Sequence, residues 1–438
     1  MSEAITKIAM VGIGARGSGL LKHLLSMHDV TVTGICDIYE DRVEKYTALC
    51  AEKTGIKPRG YTNYKDMLTR DDIDAVIIPT PMIAHSKITN AFLNAGKAVA
   101  TEVGGASSLE ECWELVETSE QSGKPCMMLE NCCYGRKEMA LLNMVRNNVF
   151  GELVFCRGGY LHDLRRLLVD EHDNNRHTRI YNYLTRNGDI YPTHGLGPMA
   201  KMLNINRGNR MLSLTSTASS ALGMNSWIKE NRPEEYEMAN SRIAEGDVIN
   251  TVITCAGGEQ MVLTHDTTLP RPYSRGGQVQ GTKGIWMESS IYPANKIPQE
   301  DFKNGMLYID KTTPLGCSRV VYREKWQSLD SYLPEYEHPL WREYLNERDD
   351  TAKAISAGMD YLVLRAFIDS VKNGTTPPVD VYDAASWMAI TCLSEQSVAN
   401  AGNPVAVPDF TNGKWIEPKY NTKSKYSLDK VNEQLFVR

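Results

Sequence analysis

The sequence predicts an α/β chain that opens on a doubly wound parallel sheet and continues as an α+β domain with a large, open, mostly antiparallel sheet. Three observations predict it. Short apolar runs alternate with helical stretches as far as about residue 150, and a glycine-rich turn joins the first run to the first helix. From residue 151 longer strand patterns with period-two alternation replace that rhythm. Alternating strand–helix units build parallel sheets whose ligands sit beyond the strand C-termini. Alternating strands joined by short returns build antiparallel sheets with one buried face. The chain is therefore divided into 1–150 and 151–438, its length exceeding one ordinary core.

The first strand is Lys7–Val11, and Gly12-Ile13-Gly14-Ala15-Arg16-Gly17 follows at once. Ser18–Met27 then reads as a helix with Leu20, Leu21, Leu24 and Leu25 on one face. A second strand, Val30–Cys36, ends in Asp37, twenty residues past the third glycine. Strand, glycine turn, helix, strand and acid in this order make the dinucleotide fingerprint of the Rossmann fold. Gly12 permits the tight turn, Gly14 lets backbone approach a pyrophosphate, and Gly17 lets helix and strand pack closely. The helix N-terminus offers free N–H groups and a positive dipole end to the phosphates. Asp37 would accept hydrogen bonds from both ribose hydroxyls and repel a 2′-phosphate, which favours NAD over NADP.

Asp74–Thr80 and Lys97–Ala100 read as further strands, with a helix over Ala84–Ala95 between them. Leu109–Ser119 is helical, and Cys126–Leu129 is a strand ending in Glu130-Asn131. The residues after these strands, around Thr80–His85, Glu102-Val103 and Glu130-Asn131, are expected to line the nicotinamide half of the cofactor. His85 reads equally well as a helix-start histidine with no ligand. Beyond Phe150-Gly151, the strands are Glu152–Tyr160, Met211–Ser219, Asp247–Ala256, Glu259–Thr267 and Gly277–Met287. Ser289–Asp350 reads as a surface wrap. Thr351–Val371, stopped by Gly374, and Tyr382–Asn400 read as helices that pack back on the second sheet. The polar tail from Glu417 is suited to docking on a neighbour.

A net charge of −6 without any basic block argues against nucleic acid and anionic membrane surfaces. No apolar run approaches the roughly 20 residues of a spanning helix. The first strand begins within seven residues of the start, so no signal peptide is expected. Ten cysteines without a CxxC or framework spacing point to buried thiols in a reducing cytoplasm, with no structural disulfides. The pair Cys132-Cys133 reads as core packing. Glu171-His172-Asp173 with His177 has metal-ligand residue types but not metal-ligand spacing, so no metal is expected. GxSxG, HExxH and P-loop motifs are absent.

The stretch Gly188–Pro198 carries the clearest chemistry and reads as a loop entering a helix at Pro198. Tyr191 and His194, three apart, face one cavity if the helix begins at Thr193-His194. Histidine is the natural proton acceptor near neutral pH, and a hydrogen-bonded tyrosine assists it. Tyr160 closes the first strand of the second domain, with His162-Asp163 beyond it. Arg179 can hold a sugar hydroxyl or acyl carbonyl, and Tyr273 sits in the stiff loop Pro270-Arg271-Pro272-Tyr273. Each tyrosine taken singly also reads as half-buried packing.

A Rossmann domain followed by an open-sheet domain resembles the Gfo/Idh/MocA dehydrogenase superfamily. Most members carry Glu-Lys-Pro where this chain has Glu102-Val103-Gly104, and an Asp where it has Ile190. The set Glu102-Val103, Glu130-Asn131, Tyr191-Pro192-Thr193-His194-Gly195-Leu196-Gly197-Pro198, Asp380–Ala385 and Val407–Phe410 resembles glycoside hydrolase family 109, which contains NAD-dependent α-N-acetylgalactosaminidases. Many of its members have Trp at the place of Met82, and His-Gly-Gly-Met-Asp at that of Ser356-Ala357-Gly358-Met359-Asp360. The resemblance implies cofactor contacts at Ala15-Arg16, Asp37, Met82 to His85, Glu102-Val103 and Asn131. It implies sugar contacts at Tyr160, Arg179, Tyr191, Pro192, Thr193, His194 and Tyr273.

The implied activity is a hydrolysis without net oxidation, with NAD tightly bound and recycled. Transient oxidation at C3 acidifies the C2 proton, the aglycone leaves C1 by elimination, water adds, and C3 is reduced again. His194, with Tyr191 or Tyr160, would handle a proton at O3 or C2. The alternatives are an NAD-dependent sugar dehydrogenase releasing a keto sugar, and a cofactor-sensing regulator. The expected partner is a small glycoside, and an open sheet face points to a homo-oligomer, a dimer or larger.

Overall fold

The computed structural model describes residues 4–169, 179–232, 234–288, 303–310, 326–347, 351–420 and 424–429. The stretch 171–177 and most of 289–350 lie outside the described residues, as does the tail beyond 429.

Six strands form the first sheet: β1 (Thr6–Val11), β2 (Val30–Cys36), β3 (Arg59–Tyr61), β4 (Ala75–Ile78), β5 (Ala98–Thr101) and β6 (Cys126–Met128). Their order is β3-β2-β1-β4-β5-β6, and every pair is parallel. Helices α1 (Ala15–Leu24), α2 (Glu40–Thr54), α3 (His85–Asn94) and α4 (Leu109–Ser122) make the crossovers, and α5 (Arg136–Arg146) leads out. Ile8, Met10, Val76, Ile77 and Val99 are fully buried, as strands covered on both faces require. The sequence reading passed over β3 and α2. The strand is three residues long, and α2 is a charged helix that buries only Arg42, Val43, Tyr46, Thr47 and Cys50. At the first turn Gly12 has φ +97°, and a Cβ on Gly17 would lie 2.3 Å from the Gly12 carbonyl oxygen, so neither position admits a side chain.

Among the described residues the second sheet has nine strands: β7 (Leu153–Leu161), β8 (Met211–Ala218), β9 (Val248–Cys255), β10 (Gln260–Asp266), β11 (Gln278–Gly281), β12 (Gly284–Met287), β13 (Met306–Ile309), β14 (Gln327–Ser328) and β15 (Val405–Ala406). The order β14-β13-β12-β11-β7-β10-β9-β8-β15 is antiparallel except where β7 meets β10. The expected single strand Gly277–Met287 is a hairpin, because Thr282 and Lys283 turn back to the Phe150–Glu152 backbone. The helices of this half are α6 (Arg165–Val169), α7 (Ile180–Thr185), α8 (Thr193–Met202), α9 (Gly223–Asn231), α10 (Tyr236–Asn240), α11 (Leu333–Tyr336), α12 (Pro339–Asn346), α13 (Thr351–Asn373) and α14 (Val381–Ala399).

Two features differ from the sequence reading and position the site. Helix α8 begins at Thr193 and carries Pro198 in its interior; the N–H that proline lacks would have bonded the His194 carbonyl. The C-terminal helices do not simply fall back on the second sheet: α14 packs on both β8 and α4, and α13 lies against α1. Arg365 and Lys372 of α13 hold Asp29 at the entrance to β2. Burial would raise that carboxyl, but the two cations outweigh it and hold it down at about 2. Helix α8 reaches β7 through glycine alone, for a Cβ on Gly195 would lie 2.3 Å from the Gly159 nitrogen.

Gly195→Ala is therefore expected to push α8 off β7 and cost about 1–3 kcal/mol, read as a lower urea midpoint. Asp29 has a folded pKa below its unfolded value, so its contribution is full above about pH 4 and lost as pH falls toward 2. The stability gap between wild type and Asp29→Asn should be large near neutrality and close in acid, measured by denaturation at both ends. A gap independent of pH would contradict the ion-pair account.

Candidate active site

The C-terminal end of β7 and the start of α8 bring three predicted residues together. The Tyr160 ring lies 4.7 Å from that of Tyr191 and 5.6 Å from His194, and Tyr191 lies 5.1 Å from His194, centroid to centroid. The Arg179 guanidinium sits 5.2 Å over the Tyr191 ring. Burial opposes its charge, and the tyrosines Tyr191, Tyr160 and Tyr183 outweigh burial and raise it. The Tyr160 hydroxyl and His162 Nδ1 are 3.1 Å apart, and His162 meets Tyr273 edge-on at 5.0 Å. Tyr273 is more than half exposed, which sets it at the rim. Burial pushes the Tyr191 phenol up to about 12 despite His194 and Arg179, so it works as a neutral hydrogen-bonding group. Pro192 is the N-cap of α8, while Thr193 is fully buried and turned inward.

His194 has a partner that the sequence reading placed only on the cofactor side. Its Nδ1 lies 2.8 Å from Glu130 Oε1, at the end of β6. Burial disfavours the imidazolium, but Cys132, Glu130 and Tyr191 outweigh it and hold the ring well above the ordinary histidine range. Glu130, wholly buried, is held below the usual carboxylate range because His194 outweighs the cost of burial. Cys132 is buried as expected, yet its sulfur does not face a plain core: Arg275 Nη1 approaches it at 2.9 Å.

On the cofactor side, Arg16 reaches from the start of α1 to Glu102 Oε1 at 2.6 Å and to the two Asp360 oxygens at 2.6 and 2.9 Å. Asn131 donates to Asp360 at 2.7 Å. Gly14 caps α1 without a side chain, which leaves the first N–H groups open for a pyrophosphate. Asp37 Oδ2 accepts from the Ile13 N–H at 2.8 Å, so the carboxylate sits beside the glycine turn, where ribose hydroxyls would meet it. Met82 lies over Gly104, whose missing Cβ would fall 2.4 Å from the methionine side chain. Val103 is buried. His85 is buried, joins the Thr80 carbonyl through Nε2 at 2.7 Å, and is pushed down to about 4 by burial. It therefore stays neutral and anchors α3. The uncapped helix start, the glycine cradle and the acid at the tip of β2 fit a dinucleotide.

Asp360, named in the sequence only as the end of a family stretch, and Cys132 and Arg275 were not read as site residues. They lie on α13, in the turn after β6 and before β11, and only the tertiary fold brings them here.

Residues 6–130 match the oxidoreductase family with an NAD-binding Rossmann fold, which sets the class: an NAD-binding enzyme on the Gfo/Idh/MocA plan. Solved structures of that plan share the fold. An NAD-binding oxidoreductase from Klebsiella pneumoniae superposes with a TM-score of 0.68 at 14% identity, covering 92% of this chain and 99% of that one. Apo scyllo-inositol dehydrogenase from Lactobacillus casei does so with 0.61 at 13%, covering 93% and 99%. Residues 134–417 match the C-terminal domain of glycosyl hydrolase 109, and the chain belongs to that family. A glycosyl hydrolase family 109 protein of Shewanella sp. is 37% identical over 419 residues, 95% of this chain and 87% of that one. An alpha-N-acetylgalactosaminidase of Tannerella forsythia is 36% identical over 439 residues, 95% and 88% of the two chains. Among the described residues no helix is long and apolar enough to cross a membrane, and the nine described cysteines are free and buried.

Asp37→Ala is expected to weaken NAD binding at least about tenfold, the loss of roughly 1.4 kcal/mol of ribose hydrogen bonding. His194→Asn should change it less than about threefold, since the imidazole packs on Tyr160 and Tyr191 rather than at the glycine turn or Asp37. Fluorescence titration with NAD distinguishes them, and equal losses would contradict the division of the site.

Proposed function

We propose that this enzyme hydrolyses N-acetylgalactosaminides or closely related glycosides, with NAD held tightly and recycled in place. The observation that carries the reading is the contact of two sites: Glu130, two residues past β6 of the cofactor sheet, is also the partner of the histidine in the phenol–guanidinium pocket. The name of the Tannerella relative supports the sugar. Residues 1–150 serve the cofactor and 151–438 the glycoside. Arg16, tied to both Glu102 and Asp360, bridges the glycine turn and α13, which supports tight retention of the dinucleotide.

When bound, NAD supplies a reversible hydride acceptor for C3 of the sugar, and the resulting ketone acidifies C2. The chain's own groups position the ring and move protons. Tyr160, Tyr191 and Arg179 hold hydroxyl and acyl oxygens by hydrogen bonding, with Tyr273 closing the rim. His194, held on Nδ1 by Glu130, handles the proton at O3 or C2 with Tyr191 or Tyr160 as its partner. The proton is then available to the departing aglycone oxygen. Because the aglycone leaves by elimination, no nucleophile need stand opposite it, and the elimination itself does not restrict the anomer.

The second sheet, open on one face, is the surface through which a dimer or larger assembly would form. The free thiols suit the cytoplasm.

Incubation with p-nitrophenyl α-N-acetylgalactosaminide is expected to release nitrophenol with no build-up of NADH. His194→Ala should lower the rate by about 100-fold or more. NADH formed in step with a keto sugar would assign a dehydrogenase instead, and no turnover of any glycoside would leave only a cofactor-binding role.

A further inference from the structure

We propose that His265 is a positioning residue for the sugar pocket, acting with Glu245 and Asp189 as a buried charged cluster that holds Tyr160 and Tyr191 against the glycoside. The inference rests on the glycosidase reading above. His265 and Glu245 are 1% exposed and Asp189 2%, and none of them has a task in the reaction so far described. Burying three ionisable groups together is expensive, and perturbed clusters of that kind gather at functional sites.

The fold ties the cluster to both pocket phenols. Strands β7 and β10 run parallel with His265 in register with Tyr160, and the two rings lie 6.4 Å apart, centroid to centroid. The His265 ring is also 6.4 Å from that of Tyr183, whose carbonyl accepts from the Ala244 and Glu245 N–H groups. His265 Nδ1 stands 2.9 Å from Glu245 Oε1. Asp189 Oδ1 accepts from the Tyr191 N–H at 3.2 Å, and its backbone is pinned to α14 by Ser394 and Thr391. An imidazolium among these groups joins the strand of Tyr160 to the turn of Tyr191.

The charges around the ring favour that imidazolium. Burial opposes it, but Glu245 before β9, Asp189 before α8 and Asp266 on β10 outweigh burial and raise it. Asp266 is itself paired with Arg271. Burial pushes the Glu245 carboxyl up to about 7 against the pull of His265, and Asp189 and Glu395 of α14 add to the rise. Glu395 is bound by Arg186. On α7, burial pushes the Tyr183 phenol up despite Arg179, so it stays neutral. Near neutrality the cluster therefore keeps the imidazolium proton and shares a second one on Glu245. Without the ring's charge, two buried carboxylates would be left to protonate or to move the turns that carry them.

The test uses the full-length, NAD-loaded protein labelled with ¹⁵N-histidine. Long-range proton–nitrogen spectra are expected to show one imidazole, missing from His265→Gln, with both nitrogens protonated at about pH 8. Should His265→Gln not fold, the signal is assigned as the imidazole that moves in Glu245→Gln. Glu245→Gln should shift that titration to lower pH, raise KM for p-nitrophenyl α-N-acetylgalactosaminide about tenfold and leave kcat within about threefold. A neutral His265 at that pH, an unchanged titration in Glu245→Gln, or an unchanged KM would overturn the proposal. The spectra need no turnover: a wild type that shows them but hydrolyses no glycoside would overturn the glycosidase reading and leave the charged cluster standing.

Discussion

The 2.8 Å contact between Glu130 and His194 joins the working ends of two sheets that otherwise have separate tasks. Glu130 is placed by β6, the last strand of the parallel sheet, and His194 by the first turn of α8. For the two to meet, α8 must lie close against β7, and only glycine at positions 158 and 195 allows that approach. The same approach sets Tyr160, on β7, beside Tyr191 and His194. A shift of the helix by one side-chain radius would separate the imidazole from both the carboxylate and the phenols. A buried carboxylate without its cationic partner is strongly unfavourable, so the contact is also part of what locks the two halves together.

The N-terminal sheet was legible because local physics dictates it. Gly12 and Gly17 occupy positions where a side chain cannot fit, and Asp37 follows a buried strand at a distance fixed by one helix and two turns. The four long strands β7 to β10 were legible through alternation, though the hairpin hidden in Gly277–Met287 was not. Both of its arms are four residues long, and the turn at Thr282-Lys283 lacks a glycine–asparagine signal. The start of α8 was misjudged because Pro198 reads as a helix entry, whereas here it sits inside a helix anchored by packing on β7.

The site was half legible. Tyr191 and His194 share one short motif, so their proximity follows from spacing. The Glu130–His194 pair spans 64 positions, and Arg16 with Asp360 spans 344. No local pattern encodes such meetings. They arise because β6 ends at the cleft and because α13 returns to cover α1, a long-range docking that leaves only separate polar residues in the sequence.

The central claim is that the pocket removes and returns the C2 proton of a bound sugar while the glycosidic bond breaks. The most direct measurement is hydrolysis in heavy water, with the released sugar recovered and C2 examined by NMR. The account predicts deuterium at C2 of the product. A product that keeps its original hydrogen at C2 through complete hydrolysis would contradict it.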